Sequence, residues 1–361
     1  MRHLHKAKDI KDLENSMRRK SKQIVLYFLV LILACMTVSC GKTEEKEAEK
    51  PEFRDDAVFA VNGVQVTLAE WNLYACPILD EIDNLYGKDI WDYKMDPEGK
   101  LFGEALQEYI REKIVNIKVV AGKAPGLDVH LTEDDRTEIS LAASEYMEKL
   151  TEEQQKEYGI TKDMVENVYE DNLLATKVYE YLTLNVDTST EETEVRHMVL
   201  RYIMLPKTYE NKSGETVFYS DEEILSRKSR IEAVKSALDK NPGATLKDFE
   251  SDDLTVTDLI VDYNGLKERL PEDMAGVVFW LREHEISRIL ESDEAFFIFE
   301  CVKLSDEERT KAARIKIIEQ REQQVFEEAY IEWKKDVEVI NNDPVWKSIT
   351  DMFNARSDTR S

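Results

Sequence analysis

The stretch VRHMVLRYIML, residues 195–205, decides how the middle of this chain folds. Apolar and polar side chains alternate along it, which is the two-residue period of a β-strand with one face in a core. A strand is therefore predicted over residues 196–205, with His197 near its start. Because the regions on both sides have helical patterns, this strand marks the start of a separate β-containing segment.

The residues before this strand predict a hairpin followed by a helical region. In AVFAVNGVQVTLAEW, residues 57–71, two short strands flank Asn62-Gly63, a pair typical of tight hairpin turns. Thr67 and Glu70 have the spacing of a capping box, so a helix is expected directly after the hairpin. Amphipathic helical patterns continue to residue 183, although WDYKMDPEGK leaves the boundaries between residues 78 and 100 open.

The residues after this strand predict a mixture of helices and strands. A helix is expected from Ser220 to about Asp239, a helical turn over residues 247–250, and two strands in SRILESDEAFFIFECVKL, residues 287–304. Residues 306–340 form one long amphipathic pattern whose apolar stripe needs a partner. We expect this last helix to pack on the N-terminal helices, which makes the β-containing segment an insertion in a helical domain.

Composition limits the classes of function. The 361 residues suffice for two domains, and 42% hydrophobic with 34% charged residues is typical of a globular, well-solvated protein. A formal charge of −26 argues against nucleic acid as a partner. The chain has no CxxC, HExxH, GxGxxG, P-loop or GxSxG motif, so no metal, cofactor, nucleotide site or serine nucleophile is predicted.

The N-terminus predicts export and a lipid anchor. Residues 1–39 contain eight Lys/Arg against three Asp/Glu, and an apolar run over residues 24–39 leads into VSCG. This end resembles a bacterial lipobox, which implies lipidation at Cys40; Cys35 fits less well. An uncleaved signal anchor is the alternative. Met17 would give a signal of ordinary proportions, so it is a second candidate for the start.

Two cysteines remain outside the signal, and both have apolar neighbours. Cys76 lies in LYACPIL and Cys301 in FIFECV, which predicts two buried reduced thiols. A disulfide between them is the alternative.

The order of these elements resembles the PrsA/SurA-type extracytoplasmic foldases over roughly residues 55–348. The segments that carry the resemblance are VNGVQVTLAEW (61–71), VRHMVL (195–200), FESDD (249–253), RLPEDMAGVVFWLREHEIS (269–287) and YIEWKKDVEVINNDPVW (330–346). The resemblance implies an α+β fold, in which a helical chaperone domain made from both ends of the chain contains an inserted parvulin-like domain. The expected divisions are a signal peptide (1–39), a charged tether (40–56), the N-terminal chaperone part (57–190), the parvulin-like domain (193–304), the closing helix (305–348) and a tail (349–361).

The resemblance also implies where a peptidyl-prolyl isomerase site would lie. Parvulins hold proline in an apolar cup beside two histidines that face each other across the sheet, and an Asp or Cys. The first histidine falls on His197 and the Asp/Cys position on Asp253, which makes these the catalytic candidates. The implied substrate-binding residues are Leu270, Met274, Phe279 and Phe297.

Two departures from the family pattern affect the expected activity. The second histidine falls on Phe297, and LIVDYNGL, residues 259–266, replaces a glycine-rich GGDLG segment. With the histidine pair broken, the inserted domain is expected to bind polypeptides while its isomerase activity is lost. An active isomerase that works with His197 and Asp253 is the alternative.

The resulting hypothesis is a lipoprotein on the extracytoplasmic face of the bacterial membrane that binds unfolded, newly exported polypeptides. Aromatic and methionine side chains in the helical region suit a cleft that accepts many sequences. The oligomeric state is left open, with a homodimer as one alternative. A solute-binding lipoprotein is a more distant alternative, because it would need two lobes of βαβ units.

Overall fold

The computed structural model describes residues 52–96 and 99–358. They form two compact units: a helical unit, made of the described residues up to Asn185 together with those from Glu322 onward, and a central unit, Val186–Arg321. The predicted signal, Cys40 and the start of the tether lie outside the described residues. Within the described ranges, no helix combines the length and apolar character needed to cross a bilayer.

The strands and helices are as follows. The strands are β1 Ala57–Val61, β2 Val64–Thr67, β3 Met198–Pro206, β4 Thr208–Glu210, β5 Thr216–Phe218, β6 Val256–Val261, β7 Leu290–Glu291, β8 Ala295–Lys303 and β9 Val339–Asn341. The α-helices are α1 Leu68–Tyr86, α2 Phe102–Ala121, α3 Glu133–Lys149, α4 Glu152–Tyr158, α5 Lys162–Thr183, α6 Glu192–Val195, α7 Asp221–Lys240, α8 Tyr263–Lys267, α9 Glu272–Phe279, α10 Glu307–Lys334 and α11 Asp343–Asp358. Short 3-10 turns lie at Lys88–Asp92, Ala124–Leu127 and Leu246–Phe249.

The predicted hairpin at Asn62-Gly63 is confirmed. Asn62 and Gly63 have φ values of 50° and 81°, the left-handed conformations that a two-residue hairpin turn requires. Thr67 Oγ1 accepts the N–H of Glu70 at 3.2 Å, as a cap should, but the Glu70 carboxylate pairs with Lys118 at 2.8 Å. The predicted capping box is therefore only half formed, because the ion pair takes the side chain that would close it.

The C-terminal segment completes the helical unit. The predicted return of the last helix to the N-terminal helices is confirmed, since Phe326 and Tyr330 are buried in the same core as Trp71. The predicted single helix over residues 306–340 is wrong at its end: α10 stops at Lys334, and β9 pairs antiparallel with β1. The predicted tail is also wrong, because α11 continues to Asp358 and buries Ile349 and Phe353.

The central unit contains a four-stranded antiparallel sheet in the order β6-β3-β8-β7. One face is covered by α7, and its core consists of Ile203, Leu205, Ile231, Val234, Leu238, Leu246, Leu254, Val256, Phe296 and Ile298. The other face is covered by α8 and α9, and its core includes Met198, Leu200, Leu270, Val278, Phe279, Phe297, Phe299 and Cys301. Every strand pair among the described residues is antiparallel, which argues against the βαβ lobes of a solute-binding protein.

The two cysteines of the described region form no disulfide. Cys301 is fully buried, as predicted, whereas Cys76 is only partly buried. Burial raises the pKa of the Cys301 thiol from 9.0 to about 11, with a further contribution from Glu283. This thiol is therefore protonated at neutral pH.

Candidate functional site

The register between β3 and β8 determines which side chains meet on the sheet. Met204 lies opposite Phe297, and Tyr202 lies opposite Phe299. Directly paired residues of antiparallel strands point to the same face, so all four side chains share the face covered by α8 and α9. We call Tyr202, Met204, Phe297 and Phe299 the aromatic platform.

The aromatic platform is a continuous stack. The Tyr202 and Phe299 ring centroids are 5.4 Å apart with planes 28° from parallel, and Phe299 stacks on Phe297 at 5.9 Å and 20°. The two phenylalanines are buried, whereas Met204 is 45% exposed and Tyr202 is partly exposed. Met204 and the partly exposed Tyr202 therefore give this face of the sheet an accessible apolar surface.

His197 lies outside the strand predicted to carry it. It precedes β3, and its backbone N–H donates to Thr310 Oγ1 at 3.1 Å while its carbonyl accepts the N–H of Asp306 at 2.6 Å. The ring donates from Nδ1 to the Val195 carbonyl at 3.0 Å. These contacts join the start of β3 to the start of α10, which is a structural role.

The structure does not place His197 opposite Phe297. The strand partner of Phe297 is Met204, seven residues further along the chain than His197. At the rise of an extended strand, this separation corresponds to roughly 20 Å. The facing pair implied by the resemblance is therefore not assembled from these two positions.

Asp253 also lies away from the aromatic platform. It sits in an exposed turn before β6, with its side chain 83% exposed and its carboxylate 3.9 Å from Arg230 on α7. Since α7 covers the opposite face of the sheet, this contact draws the carboxylate away from Phe297. A catalytic role for His197 or Asp253 stays a prediction.

The four predicted substrate-binding residues belong to one cluster under α8 and α9. Phe279 is fully buried, Leu270 and Phe297 are buried, and Met274 is partly exposed at the margin. Three of the four side chains are thus buried in one core, and a role of these residues in substrate binding stays a prediction. Met274 is the member of this set whose side chain is accessible.

Arg196 is a residue that the sequence patterns did not single out. Its guanidinium lies 4.1 Å from the Phe279 ring centre and 5.1 Å from that of Trp280, and it donates to the Phe279 carbonyl at 2.6 Å. A second hydrogen bond, of 2.8 Å, goes to Glu192. Arg196 thus holds the end of α9 against the start of β3. A charged residue in an alternating run carries no sequence signal for such a contact.

The aromatic residues of the helical unit divide into two groups. Trp71, Tyr74 and Trp91 are buried in the core and cannot contact a ligand. In contrast, the end of α1 and the segment after it expose four large apolar side chains. These are Leu85, Tyr86, Tyr93 and Met95, with exposed fractions of 66%, 65%, 59% and 51%. Tyr86, Tyr93 and Met95 belong to the aromatic and methionine side chains expected to contact a client, and Leu85 adds a further exposed apolar side chain.

Comparison with curated proteins finds a relative that matches part of the chain. The foldase protein PrsA of Caldanaerobacter subterraneus is 26% identical over 204 residues, which cover 56% of this chain and 60% of the relative. The matched region thus spans less than two thirds of the relative's length. No protein-family model matches the chain.

The solved structures that the comparison returns include two PrsA proteins and two SurA-like chaperones. PrsA from Bacillus subtilis is 15% identical, covering 76% of this chain and 90% of that one, with a TM-score of 0.21. PrsA from Bacillus cereus is 14% identical, covering 82% of this chain and 98% of that one, with a TM-score of 0.26. The match to the SurA-like chaperones PEB4 and Cj1289 of Campylobacter jejuni is 10% identical. It covers 80% of this chain and 99% of that one, with a TM-score of 0.27. Because these TM-scores are low, the likeness rests on the curated relative. The chain is similar to the PrsA-type foldases, the resemblance that its sequence motifs predict.

Proposed function

We propose that this chain is an extracytoplasmic folding factor that binds unfolded exported polypeptides, and that its central unit binds chains without isomerising proline bonds. The observation that carries the proposal is the register of β3 and β8. It puts Met204, and not His197, opposite Phe297, the position on which the second parvulin histidine falls. The likeness to a PrsA foldase supports the general role.

The chemistry of the aromatic platform favours binding over catalysis. Rotation about an X–Pro bond has a barrier near ~20 kcal/mol, and lowering it needs polar groups that weaken the resonance of the imide. The side chains of Phe297, Phe299 and Met204 cannot donate such hydrogen bonds, which leaves the Tyr202 hydroxyl as the one donor among the side chains of the platform. His130, His197 and His284, the histidines of the described region, all lie outside β3 and β8. The platform can contribute dispersion and hydrophobic contact.

Two accessible surfaces support binding of unfolded chains. Met204 on the aromatic platform and the group around Tyr86 and Tyr93 in the helical unit expose flexible or amphipathic apolar side chains. Such side chains adapt to many sequences, because thioethers repack easily and tyrosine combines an apolar ring with a hydroxyl. Each unit therefore carries its own candidate contact surface for a client.

The N-terminal segment is the support for the proposed anchor and location. A diacylated Cys40 would hold the mature protein on the outer face of the cell membrane, with the charged tether as a spacer. Cj1289, one of the similar solved proteins, is described as periplasmic. A homodimer is compatible with this arrangement and belongs to the same proposal.

Two assays on the full chain test the proposed function. We expect no acceleration in a protease-coupled assay with X–Pro peptides, but reduced aggregation of a chemically unfolded test protein. Met204→Glu should weaken the protection from aggregation, because it charges the accessible part of the platform. Ile315→Glu is the matched control, since both side chains are 45% exposed within the central unit.

The opposite results would replace the proposal. Catalysis that disappears in His197→Ala or Asp253→Ala would establish an active isomerase, the runner-up function. Equal protection by the Met204→Glu and Ile315→Glu variants would remove the aromatic platform from client binding. Absence of both activities would overturn the folding role altogether.

A further inference from the structure

The outer edge of β6 is the longest accessible strand edge in the described region. β6 has six residues and is paired there with β3 alone. The opposite edge strand of this sheet, β7, has two residues, and β9 in the helical unit has three. Along β2, Gln65 exchanges hydrogen bonds of 3.0 and 2.9 Å with Arg54 and Glu52, which line that edge.

The hydrogen-bonding pattern identifies which backbone groups of β6 face outward. Lys207 donates from its backbone N–H to the Glu294 carbonyl at 2.6 Å, in register with the β3–β8 ladder. Along a strand between two antiparallel neighbours, successive residues point their backbone N–H and C=O groups alternately to one neighbour and to the other. The odd-numbered residues of β3 therefore bond to β8, and the even-numbered ones bond to β6.

The same alternation carries over to β6. Met198, Leu200 and Tyr202 pair with Val261, Leu259 and Thr257, so these three residues of β6 use their N–H and C=O groups in the ladder. The backbone groups of Val256, Asp258 and Ile260 then point away from the sheet. An extended chain laid along this edge would find three donors and three acceptors.

Charge restricts what can occupy the edge. Residues 250–262 contain five carboxylates and no lysine or arginine; the acids are Glu250, Asp252, Asp253, Asp258 and Asp262. Three of these carboxylates have a cation nearby: Arg201 lies 2.8 Å from Asp258, Lys247 lies 2.7 Å from Glu250, and Arg230 lies 3.9 Å from Asp253. The side chain of Asp258 nevertheless remains 61% exposed. A second copy of β6 would bring like charges together, which is unfavourable in paired strands. A cationic chain is attracted instead.

We propose that the outer edge of β6 binds an extended segment of a polypeptide rich in lysine or arginine as an added strand. The inference rests on the proposed function, because an unfolded client supplies such segments. The added strand bonds to Asp258 and Ile260 through its backbone, so the contact is independent of most client side chains. The carboxylates around the edge select clients by charge.

Hydrogen–deuterium exchange with residue-level fragmentation tests the site on the full chain. The probe is an acetylated, amidated octapeptide of alternating lysine and valine, and the control peptide has glutamate in place of lysine. With the lysine peptide, exchange at the amides of Asp258 and Ile260 should slow by about tenfold or more. The amide of Leu259, already bonded to β3, should not change. The glutamate peptide should protect none of them.

Two substitutions of Ile260 distinguish the contribution of its backbone N–H to peptide binding from that of its side chain. Ile260→Pro removes an outward N–H, which an edge strand tolerates, whereas Ile260→Ala removes the side chain and keeps the donor. The proline variant should bind the lysine peptide about three- to tenfold more weakly, as expected for one lost hydrogen bond, and the alanine variant should bind nearly as the unmodified chain does. If the proline variant fails to fold, the exchange result on the unmodified chain decides.

Each remaining outcome is decisive. Peptide binding without protection of Asp258 and Ile260 overturns this site and leaves the proposed function intact, since the client then binds elsewhere. Protection that rises with protein concentration in the absence of peptide would make the edge an interface between copies, which also overturns the proposal. Failure of peptide binding together with failure to suppress aggregation rejects the proposed function as well.

Discussion

The ring of Tyr202 on β3 stacks on the ring of Phe299 on β8, with centroids 5.4 Å apart. Phe297 extends the stack on the same face at 5.9 Å from Phe299. Aromatic pairs in this offset geometry add about 0.5–1.5 kcal/mol beyond the burial of their surface. The stack therefore stabilises the sheet at the position where its accessible apolar surface lies.

Phe299→Ala should lower the free energy of unfolding by about 3–5 kcal/mol, because it removes a buried ring that contacts two others. Tyr202→Phe keeps the stacked ring and should remain within about 0.5 kcal/mol of the unmodified chain. Urea unfolding monitored by circular dichroism measures both values. A Phe299→Ala loss as small as that of Leu225→Ala, at a 63% exposed position, would show that the stack is not part of the core.

Lys118 should be essential to the helical unit, because its Nζ lies 2.8 Å from Glu70 and 2.7 Å from Asp171. Burial lowers the pKa of Lys118, but both carboxylates outweigh it and hold the pKa above its ordinary value. Lys118→Met leaves two adjacent, uncompensated carboxylates and should destabilise the chain by about 3–5 kcal/mol at pH 7.

The destabilisation caused by Lys118→Met should become smaller as the pH is lowered. Burial already raises the pKa of Glu70 above 4.5 even with Lys118 present. A raised pKa contributes stability that is present below pH 4.5 and is lost as pH rises through the folded value. Unfolding at pH 4.5 and pH 7 should therefore give a smaller difference between variant and unmodified chain at the lower pH. A second substitution, Glu70→Gln, should reduce this pH dependence.

Cys301 should make the central unit sensitive to alkaline pH. Its pKa is raised to about 11 by burial, against 9.0 for an accessible thiol. The stability from this group is fully present below pH 9 and is lost as pH rises through about 11. Between pH 8 and pH 10 the unmodified chain should lose about 1 kcal/mol more than Cys301→Ala does in chemical unfolding. Equal losses would contradict a buried, protonated thiol.

Phe353 and Met352 offer a neighbouring pair for testing α11. Phe353 is fully buried and stacks on Trp91 at 5.9 Å, whereas Met352 is 46% exposed. Phe353→Ala should destabilise the helical unit by about 3–5 kcal/mol, and Met352→Ala should change it by about 0.5 kcal/mol or less. Similar losses for the two variants would mean that α11 is not docked through Phe353.

The sequence predicted those elements whose conformation depends on neighbouring residues, such as the hairpin turn and the amphipathic helices. Asn62-Gly63 requires left-handed backbone, which few other pairs adopt, so the hairpin could be read directly. The apolar stripe that includes Phe326 and Tyr330 needed a partner, and the N-terminal helices had apolar stripes of their own. The start of α11 was missed although Asp343-Pro344 is a typical first turn of a helix. β9 is too short to show a period.

The candidate site could not be predicted in the same way, because strand register is a long-range property. A motif such as VRHMVL identifies a strand but does not say where along it the partner strand begins. A shift of a few residues changes every cross-strand pair. The sequence assignment placed Phe297 opposite His197, whereas the ladder pairs Phe297 with Met204. Tyr202 and Arg196, which shape the site, were visible only through their spatial contacts.

The pairing of β1 with β9 has a consequence for biogenesis. Phe59 on β1 can pair with Asn341 on β9 only after nearly the whole given sequence has been made. In contrast, all strands of the central unit lie between residues 198 and 303. Because the chain is synthesised from its N-terminus, the central unit can fold first, and β1 stays without β9 until residue 341 has been made. Chains arrested at residue 321 should show protected amides in β3 and β8 but not in β1. The helical unit of this chain would therefore be incomplete for most of its synthesis.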